Sequence, residues 1–441
     1  MEGSWLTVLW WTHAVAAVVA TGHATLVHRQ ARGAALWITL IWMVPWLGPL
    51  LYLLLGVNRI PRPARARRLL VELSDFHWSE GNEVVPLVGG DAAYPAMIDA
   101  IEGARESVSL STYIFDDDRA GAMFRDALTR AVRRGVEVRV LVDAIGAQYS
   151  RPPIITSLRA HGVTTARFLP TRMPWRWPYA NLRNHRKLLV VDDRLGFIGG
   201  MNIRESCMLS WELPRPTRDL HFSVAGPIVR DMALLFASDW AFSTGELLAK
   251  PPLPAPGGGG GRARLVYGGP DRADEPIRWS KLAAVVRAAS RVRIMTPYFV
   301  PDEDVVTALC AAASAGVQVQ IILPSVNNLR LVAWASRGTW LPLLARGIEL
   351  RLSPPPFEHT KLMVIDDDLA IIGSSNWDER SFRLNFECDI ECRDEALVAS
   401  LRRLLDERVA ASREVTLDDL RRRSLAAVLR DRTAWLALPY L

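Results

Sequence analysis

The sequence predicts an α/β protein of two duplicated lobes, each a mixed sheet flanked by helices, preceded by an N-terminal transmembrane helical hairpin. Three observations predict this. Two segments near the N-terminus lack Asp, Glu, Lys and Arg; a strand–helix–strand order occurs twice; and one polar skeleton is written twice, at the same place in each copy.

The chain has 441 residues, enough for two sizeable lobes with accessories. Half of them are hydrophobic and the mean hydropathy is +0.10, high for a wholly soluble enzyme. No Asp, Glu, Lys or Arg occurs from Gly3 to His28 or from Gly33 to Asn58, and each stretch is long enough to cross a bilayer core as a helix. The second, "GAALWITLIWMVPWLGPLLYLLLGVN", is the stronger span. Membrane helices tolerate residues such as Pro45 and Pro49 when neighbours satisfy the freed backbone groups, and Trp37, Trp42, Trp46 and Tyr52 supply interface anchors. Thr7, Thr12, His13, Thr21 and His23 dilute the first. A cleaved signal peptide fits it less well, because no positive segment precedes it and a second span follows at once.

Residues 1–60 therefore read as the hairpin and 61–78 as a basic juxtamembrane linker. Arg59, Arg62, Arg65, Arg67 and Arg68 follow the second span, against Arg29 and Arg32 in the connection, which places both termini and the lobes in the cytoplasm. A net charge of +6 suits an anionic membrane surface or nucleic acid, and the hairpin favours lipid. Cys207, Cys310, Cys388 and Cys392 show no zinc spacing and read as thiols, not as a disulfide framework.

The first lobe is expected over 79–250. "SVSLSTYIF" is a strand, an amphipathic helix covers Ala120 to Arg134, and "GVEVRVLVDAIG" is the next strand. The second lobe, 263–405, repeats the order with "SRVRIMTPYFV", a helix over about 302–315, and "GVQVQIILP". Short helices between β-branched strands are expected where helices cover a largely parallel sheet. "PPLPAPGGGGG" has too few side chains for a core and marks an inter-lobe linker over 251–262. Residues 406–441 form a helical tail that either packs on the second lobe or rests against lipid.

The doubled skeleton is "NHRKLLVVDDRLGFIGGMN" and "EHTKLMVIDDDLAIIGSSN". Random placement of 8 His, 4 Lys and 27 Asp gives only about 0.004 matches to His-x-Lys-x4-Asp, so two aligned copies are not chance. Arginine outnumbers lysine 49 to 4, yet Lys187 and Lys361 stand in the motifs, where a compact ammonium is wanted. On a strand, His185 and Lys187 share a face, as do His359 and Lys361. Asp192 and Asp366 fall on the other face or in the following turn and suit a supporting hydrogen bond or salt bridge. Gly199, Gly200 and Gly373 permit close backbone approach, with Ser375 in the second copy, while Asn202 and Asn376 provide amide donors. Zinc fits poorly, because the aspartates have the wrong parity and two ammoniums would crowd the cation. No metal or cofactor is expected. Two imidazoles, two ammoniums and two amides converging on one anion suit a phosphodiester: one histidine attacks phosphorus and the other moves the proton.

At these residues the chain resembles the phospholipase D superfamily, and more closely the bacterial cardiolipin synthases. The resemblance extends through "WLGPLLYLLLG", "STYIFDDD", "GVEVRVLVDAIG", "NLRNHRKLLVVD", "TPYFVPDE" and "RSFRLNFE". It implies two phospholipase D-like lobes and a metal-independent phosphatidyltransferase of the bacterial inner membrane. The implied reaction joins two phosphatidylglycerols into cardiolipin and releases glycerol, with membrane phospholipids and not nucleic acid as partners. It further implies that His185 is the nucleophile, that His359 is the general acid and base, and that Asp219 and Glu387 orient the imidazoles. Hydrolysis or head-group exchange on other glycerophospholipids is the alternative. Two features depart from the family: the prolines of "RLSPPPFEHTK", and Asn327 and Asn328 where a charged residue is expected; both bear on acceptor specificity. Trp175, Trp177 and Tyr179, alternating with Arg172 and Arg176, suit either an acyl–headgroup boundary or packing within the lobe.

Overall fold

The computed structural model describes residues 2–27, 31–57, 59–71, 73, 76–170, 178–252 and 260–436. Its centre is one continuous mixed sheet in which the two lobes are halves. Outward from the seam, the first half runs Ser79–Val88, Leu220–Ala225, Leu195–Gly199, Leu188–Val191, Ser107–Thr112, Glu137–Asp143, Thr164–Phe168. The second runs Gly261–Gly268, Asn385–Arg393, Leu369–Gly373, Leu362–Ile365, Arg291–Met295, Gln318–Pro324, Glu349–Ser353, with Arg413–Val415 added at its edge. The order is the same in both halves. Only the outer three strands of each series pair in parallel, in registers such as Val108 with Val138 and Ile294 with Ile321. The expectation of a largely parallel sheet is corrected, because the motif strands return as antiparallel hairpins.

The seam is antiparallel, Ser79 opposite Ala263 and Asn82 opposite Gly261. Strand Gly261–Gly268 thus begins inside the expected linker, of which 253–259 lie outside the described residues. One apolar core crosses the seam. It unites Val190, Phe222 and Leu235 of the first lobe with Leu265, Ile390 and Leu401 of the second, beneath helices Ile228–Thr244 and Glu395–Ala411. The opposite face has a separate core in each lobe. Helices Gly89–Gly103 and Arg119–Arg133 cover one, and Pro276–Arg287 and Glu303–Ser314 the other. Aspartate caps recur in the copies: Asp118 accepts from Gly121 N and Asp302 from Val305 N, each at 2.9 Å.

The basic segment expected as a linker is an integral part of this body. Helix Ala64–Val71 buries Ala66 and Leu69 against Ala237 and Ala241. The Arg62 side chain is 1% exposed, pairing with Asp271 at 2.7 Å and Asp239 at 3.0 Å. Ahead of it, Glu2–Val27 is one 26-residue helix. The second charge-free stretch is broken: Ala31–Met43 ends at a turn over 44–46, where Pro45 lacks a donor and Trp46 takes φ 63°, before Leu47–Leu51 and a π-helical turn Tyr52–Gly56. Among the described residues, no helix is both long and apolar enough to cross a membrane. The four cysteines are unpaired, and Cys388 and Cys392 pack in the shared core. The C-terminal helix Leu425–Leu436 packs on Arg330–Gly338 of the second lobe.

Candidate active site

Each motif histidine follows a two-residue strand that crosses to the other lobe. Arg183–Asn184 pairs in parallel with Asn385 and Phe386, the residues just before Glu387. Phe357–Glu358 pairs with Thr217–Arg218, just before Asp219. The backbone then continues in step, His185 N donating to Phe386 O at 2.9 Å and His359 N to Arg218 O at 2.7 Å. Each imidazole therefore meets the acid of the opposite lobe. His185 Nδ1 lies 2.9 and 3.0 Å from the two Glu387 oxygens, and His359 Nδ1 lies 2.6 Å from Asp219 Oδ2. With Nδ1 held by a carboxylate, Nε2 is the atom left for chemistry.

The extended residues 185–187 and 359–361 bridge these crossing strands to the motif hairpins, which keeps His and Lys in alternation although neither lies within a ladder. Lys187 Nζ donates to His185 O at 2.6 Å, and Lys361 Nζ lies 3.1 Å from His359 Nδ1. Burial lowers both imidazoles to about 4, against the opposing pull of Glu387 on His185; at His359 Lys361 adds to the lowering and Asp219 opposes it. Burial likewise lowers Lys187 to about 7 and Lys361 to about 8, despite the carboxylates nearby. Lys361 also weighs on His185, and Lys187 on His359. The two half-sites thus share one electrostatic environment.

The acids are supported differently. Glu387 accepts from Ser374 Oγ, from Ser381 Oγ at 3.0 Å and from Asn385 Nδ2 at 3.1 Å. Burial would raise it, yet His185, Lys187 and the Ser374 hydroxyl hold it down at about 2. Asp219 has, besides His359, the N–H of Leu220 at 2.8 Å, and His359 and Lys361 keep it below the usual range against burial. Gly200 explains part of the difference: a Cβ there would stand 2.7 Å from Asp219 Oδ1 and 3.1 Å from Lys361 Cδ. Its counterpart is Ser374, whose hydroxyl reaches Glu387 instead.

The remaining motif residues sit around this centre. Asn202 Oδ1 accepts from Ile114 N at 3.1 Å, which leaves its NH2 as the donor, while Asn376 Oδ1 is buried with no partner among the described residues. Asp192 and Asp366 occupy left-handed turns at φ 50° and 48°. Asp192 accepts from the N–H groups of Arg105, Glu106 and Ser107, and Asp366 from those of Ala289, Ser290 and Arg291. They anchor the start of the neighbouring strand and do not touch the imidazoles. Gly199 and Gly373 let the chain pass His221 and Asp389, where a Cβ would clash at 2.6 Å or less. Ser375 turns away from the histidines to Lys281 Nζ, 2.6 Å away, and to Asp389.

Sequence reasoning missed several neighbours. Tyr113 and Tyr298, aligned in "STYIF" and "TPYFV", place rings 5.3 and 6.1 Å from His185 and His359. Arg186, between the first histidine and lysine, is fully buried on Asp239 and donates to Glu387 O at 3.1 Å. Tyr179 packs with Leu182 and Phe386, so this ring of the aromatic–arginine run lies within the lobe; 171–177, with Arg172, Trp175, Arg176 and Trp177, lie outside the described residues.

A duplicated half-site with crossed His–acid pairs and two lysines defines a phospholipase D-type centre for phosphodiester transfer. A family model described as "Cardiolipin synthase, PLD-like domain" matches residues 97–223 and 282–409, and one described as "Phospholipase_D-nuclease N-terminal" matches 15–56. The chain is 32% identical to cardiolipin synthase A of Pseudomonas putida strain GB-1, covering 96% of each chain. It is 33% identical to a cardiolipin synthase of Geobacillus thermodenitrificans strain NG80-2, covering 82% of this chain and 80% of the relative. The fold resembles that of phosphatidylserine synthase from Haemophilus influenzae Rd KW20, with a TM-score of 0.62 and 13% identity over 86% of this chain and 100% of that one. The chain belongs to the cardiolipin synthase family and is a phosphatidyltransferase of the phospholipase D type.

Proposed function

We propose that the protein is a cardiolipin synthase that uses phosphatidylglycerol both as donor and as acceptor. The crossing of each histidine to the acid of the other lobe carries this reading, because it orients both imidazoles at the lobe boundary, where Lys187 and Lys361 each act on both, as a shared phosphate requires. His185 Nε2 attacks phosphorus of the first phosphatidylglycerol, forming the P–N bond as the P–O bond to the head-group glycerol breaks. His359 gives its proton to that glycerol oxygen. It then takes the proton from a head-group hydroxyl of the second phosphatidylglycerol, whose oxygen attacks the phosphohistidine and restores His185. Lys187, Lys361, Asn202 and Asn376 bear the charge of the phosphoryl oxygens. His359 must start protonated; a phosphodiester anion beside it offsets the burial that otherwise keeps it neutral.

Access favours transfer over hydrolysis. Helix Glu2–Val27 exposes Trp5, Trp10, Trp11, Val15, Val18 and Val19, an apolar surface that suits a bilayer and not water. The N-terminal segment is proposed to hold the lobes at the cytoplasmic face of a bacterial inner membrane, where lipid head groups are concentrated and both substrates arrive by lateral diffusion. Purified enzyme in phosphatidylglycerol micelles should release cardiolipin and glycerol in equal amounts. Phosphatidate as the only lipid product would overturn the synthase reading, and use of added phosphatidylethanolamine would overturn the assigned donor.

A further inference from the structure

Next to the crossed site, the second lobe contains a cavity of about 300 Å³ beside helix Arg330–Gly338 and the C-terminal segment. Its floor is apolar, with Phe299, Val332, Trp340 and Leu352. Its charged lining consists of Arg337, Arg413 and Arg423 against one carboxylate, Asp419. Arg413 pairs with Asp419 at 2.9 Å. Arg337 and Arg423 both turn to Asp431, which also takes Arg430. Asp431 is buried, and of its guanidinium partners Arg337 and Arg423 line the cavity, which leaves one positive charge there in excess of the carboxylates.

Helix Leu425–Leu436, packed on the cavity-lining helix Arg330–Gly338, presents apolar residues to the surface. On helix Leu425–Leu436, Leu425, Leu429 and Leu436 share one face and are 73%, 57% and 58% exposed. Val326, between the cavity-lining Ser325 and Asn327, is 61% exposed. Excess positive charge, an apolar floor and an apolar apron fit a ligand that joins a phosphate to hydrocarbon. A free phosphate would make no use of the apolar parts. The cavity also adjoins the catalytic centre: Pro297 and Phe299 line it, and between them Tyr298 presents its ring to His359 and donates to Asn328 Oδ1 at 2.9 Å.

We propose that this cavity binds the head-group phosphate of an anionic phospholipid as a non-reacting lipid, with the C-terminal leucines resting in the bilayer surface. No histidine lines it, so the lipid held there is not consumed. The inference rests on the reading of the protein as a bilayer enzyme, but not on which lipid it turns over. Its occupant braces the Pro297–Asn328 wall of the half-site that contains His359.

The test is photocrosslinking of the full-length protein in detergent micelles with a photoactivatable phosphatidic acid, with labelled peptides mapped by mass spectrometry. Labelling is expected in 330–340 and 417–436, competed by unlabelled phosphatidic acid and not by phosphatidylcholine. Arg413→Gln, at an exposed site, and Arg423→Gln should each reduce it about fivefold, the effect of one surface cation near a lipid phosphate. Absence of label from these peptides, equal labelling by a phosphatidylcholine probe, or competition by inorganic phosphate alone would each overturn the proposal. The labelled position is independent of the reaction product, so failure of the synthase reading leaves this result readable.

Discussion

At the scale of single residues, the chemistry depends on which carboxylate faces which imidazole. Glu387 accepts from Ser374, Ser381 and Asn385, which suits it to hold His185 as the neutral, oriented nucleophile of the proposed mechanism. Asp219 has fewer donors, so more of its charge is available to an imidazolium at His359. In the proposed mechanism Glu387→Gln should therefore block formation of the phosphohistidine, whereas Asp219→Asn should slow both its formation and its transfer without abolishing the adduct, because His359 carries the proton in both steps. Each is expected to lower turnover about 10²–10⁴-fold, the usual contribution of a positioned proton carrier. Rapid-quench trapping of the adduct separates them, and an adduct in Glu387→Gln but not Asp219→Asn would reverse the assigned roles.

The pH dependence belongs to the same groups. In the proposed mechanism His185 must be neutral to attack while the bound phosphodiester keeps His359 protonated, so kcat should fall as pH drops toward the value of about 4 to which burial lowers His185. The lysines must be charged to hold the phosphate. Burial lowers Lys187 to about 7 and Lys361 to about 8, so activity should fall again as pH rises through this range. A profile flat to pH 10 would mean that the ammoniums are not needed in the free enzyme.

At the scale of elements, the two-residue crossing strands have the largest effect for their length. They are too short to be stable alone, and they hold because each is flanked by a hairpin buried on both faces. The turns at Asp192 and Asp366 secure those hairpins by collecting three consecutive backbone donors. The segment after the N-terminal helices is equally integral. Arg62 reaches Asp239, and Asp239 holds Arg186 between His185 and Lys187, so the entry to the body and the catalytic strand share one buried ion network. Arg62→Met should cost about 3–5 kcal/mol in denaturant unfolding, because Asp271 loses a buried partner. Arg65→Met, exposed on the same segment, should cost less than about 0.5 kcal/mol.

At the scale of the whole molecule, the lobes are halves of one sheet over one shared core. Neither half has its own complete His–acid pair. Fragments 1–252 and 260–441 expressed separately should each be inactive and aggregation-prone, since separation exposes the seam edge and the Leu265–Phe222 core; coexpression should restore turnover if they reassemble. Activity in either fragment alone would show that a single half-site suffices. The halves differ at Gly200 and Ser374, and in the proposed mechanism they perform different steps on one phosphate.

The sequence by itself determined the duplication, the strand–helix order of each lobe, and six polar residues of the candidate site: His185, Lys187, Asn202, His359, Lys361 and Asn376. These are local facts, written in spacing and alternation: a His-x-Lys pair on extended backbone exposes both side chains to one side wherever the strand goes. The acids at Asp219 and Glu387 came from family resemblance and not from spacing, and only the tertiary structure decided that they cross between lobes. Contacts such as His185 to Glu387 span 202 residues and depend on how two sheets join, which no local pattern encodes. Burial followed the same division. Arg62 read as one charge of a juxtamembrane linker until folding supplied Asp239 and Asp271, and the second apolar stretch read as one helix although Pro45 and the left-handed Trp46 break it. Composition gives the tendency of a segment; the partner that satisfies or interrupts it is set by the rest of the chain.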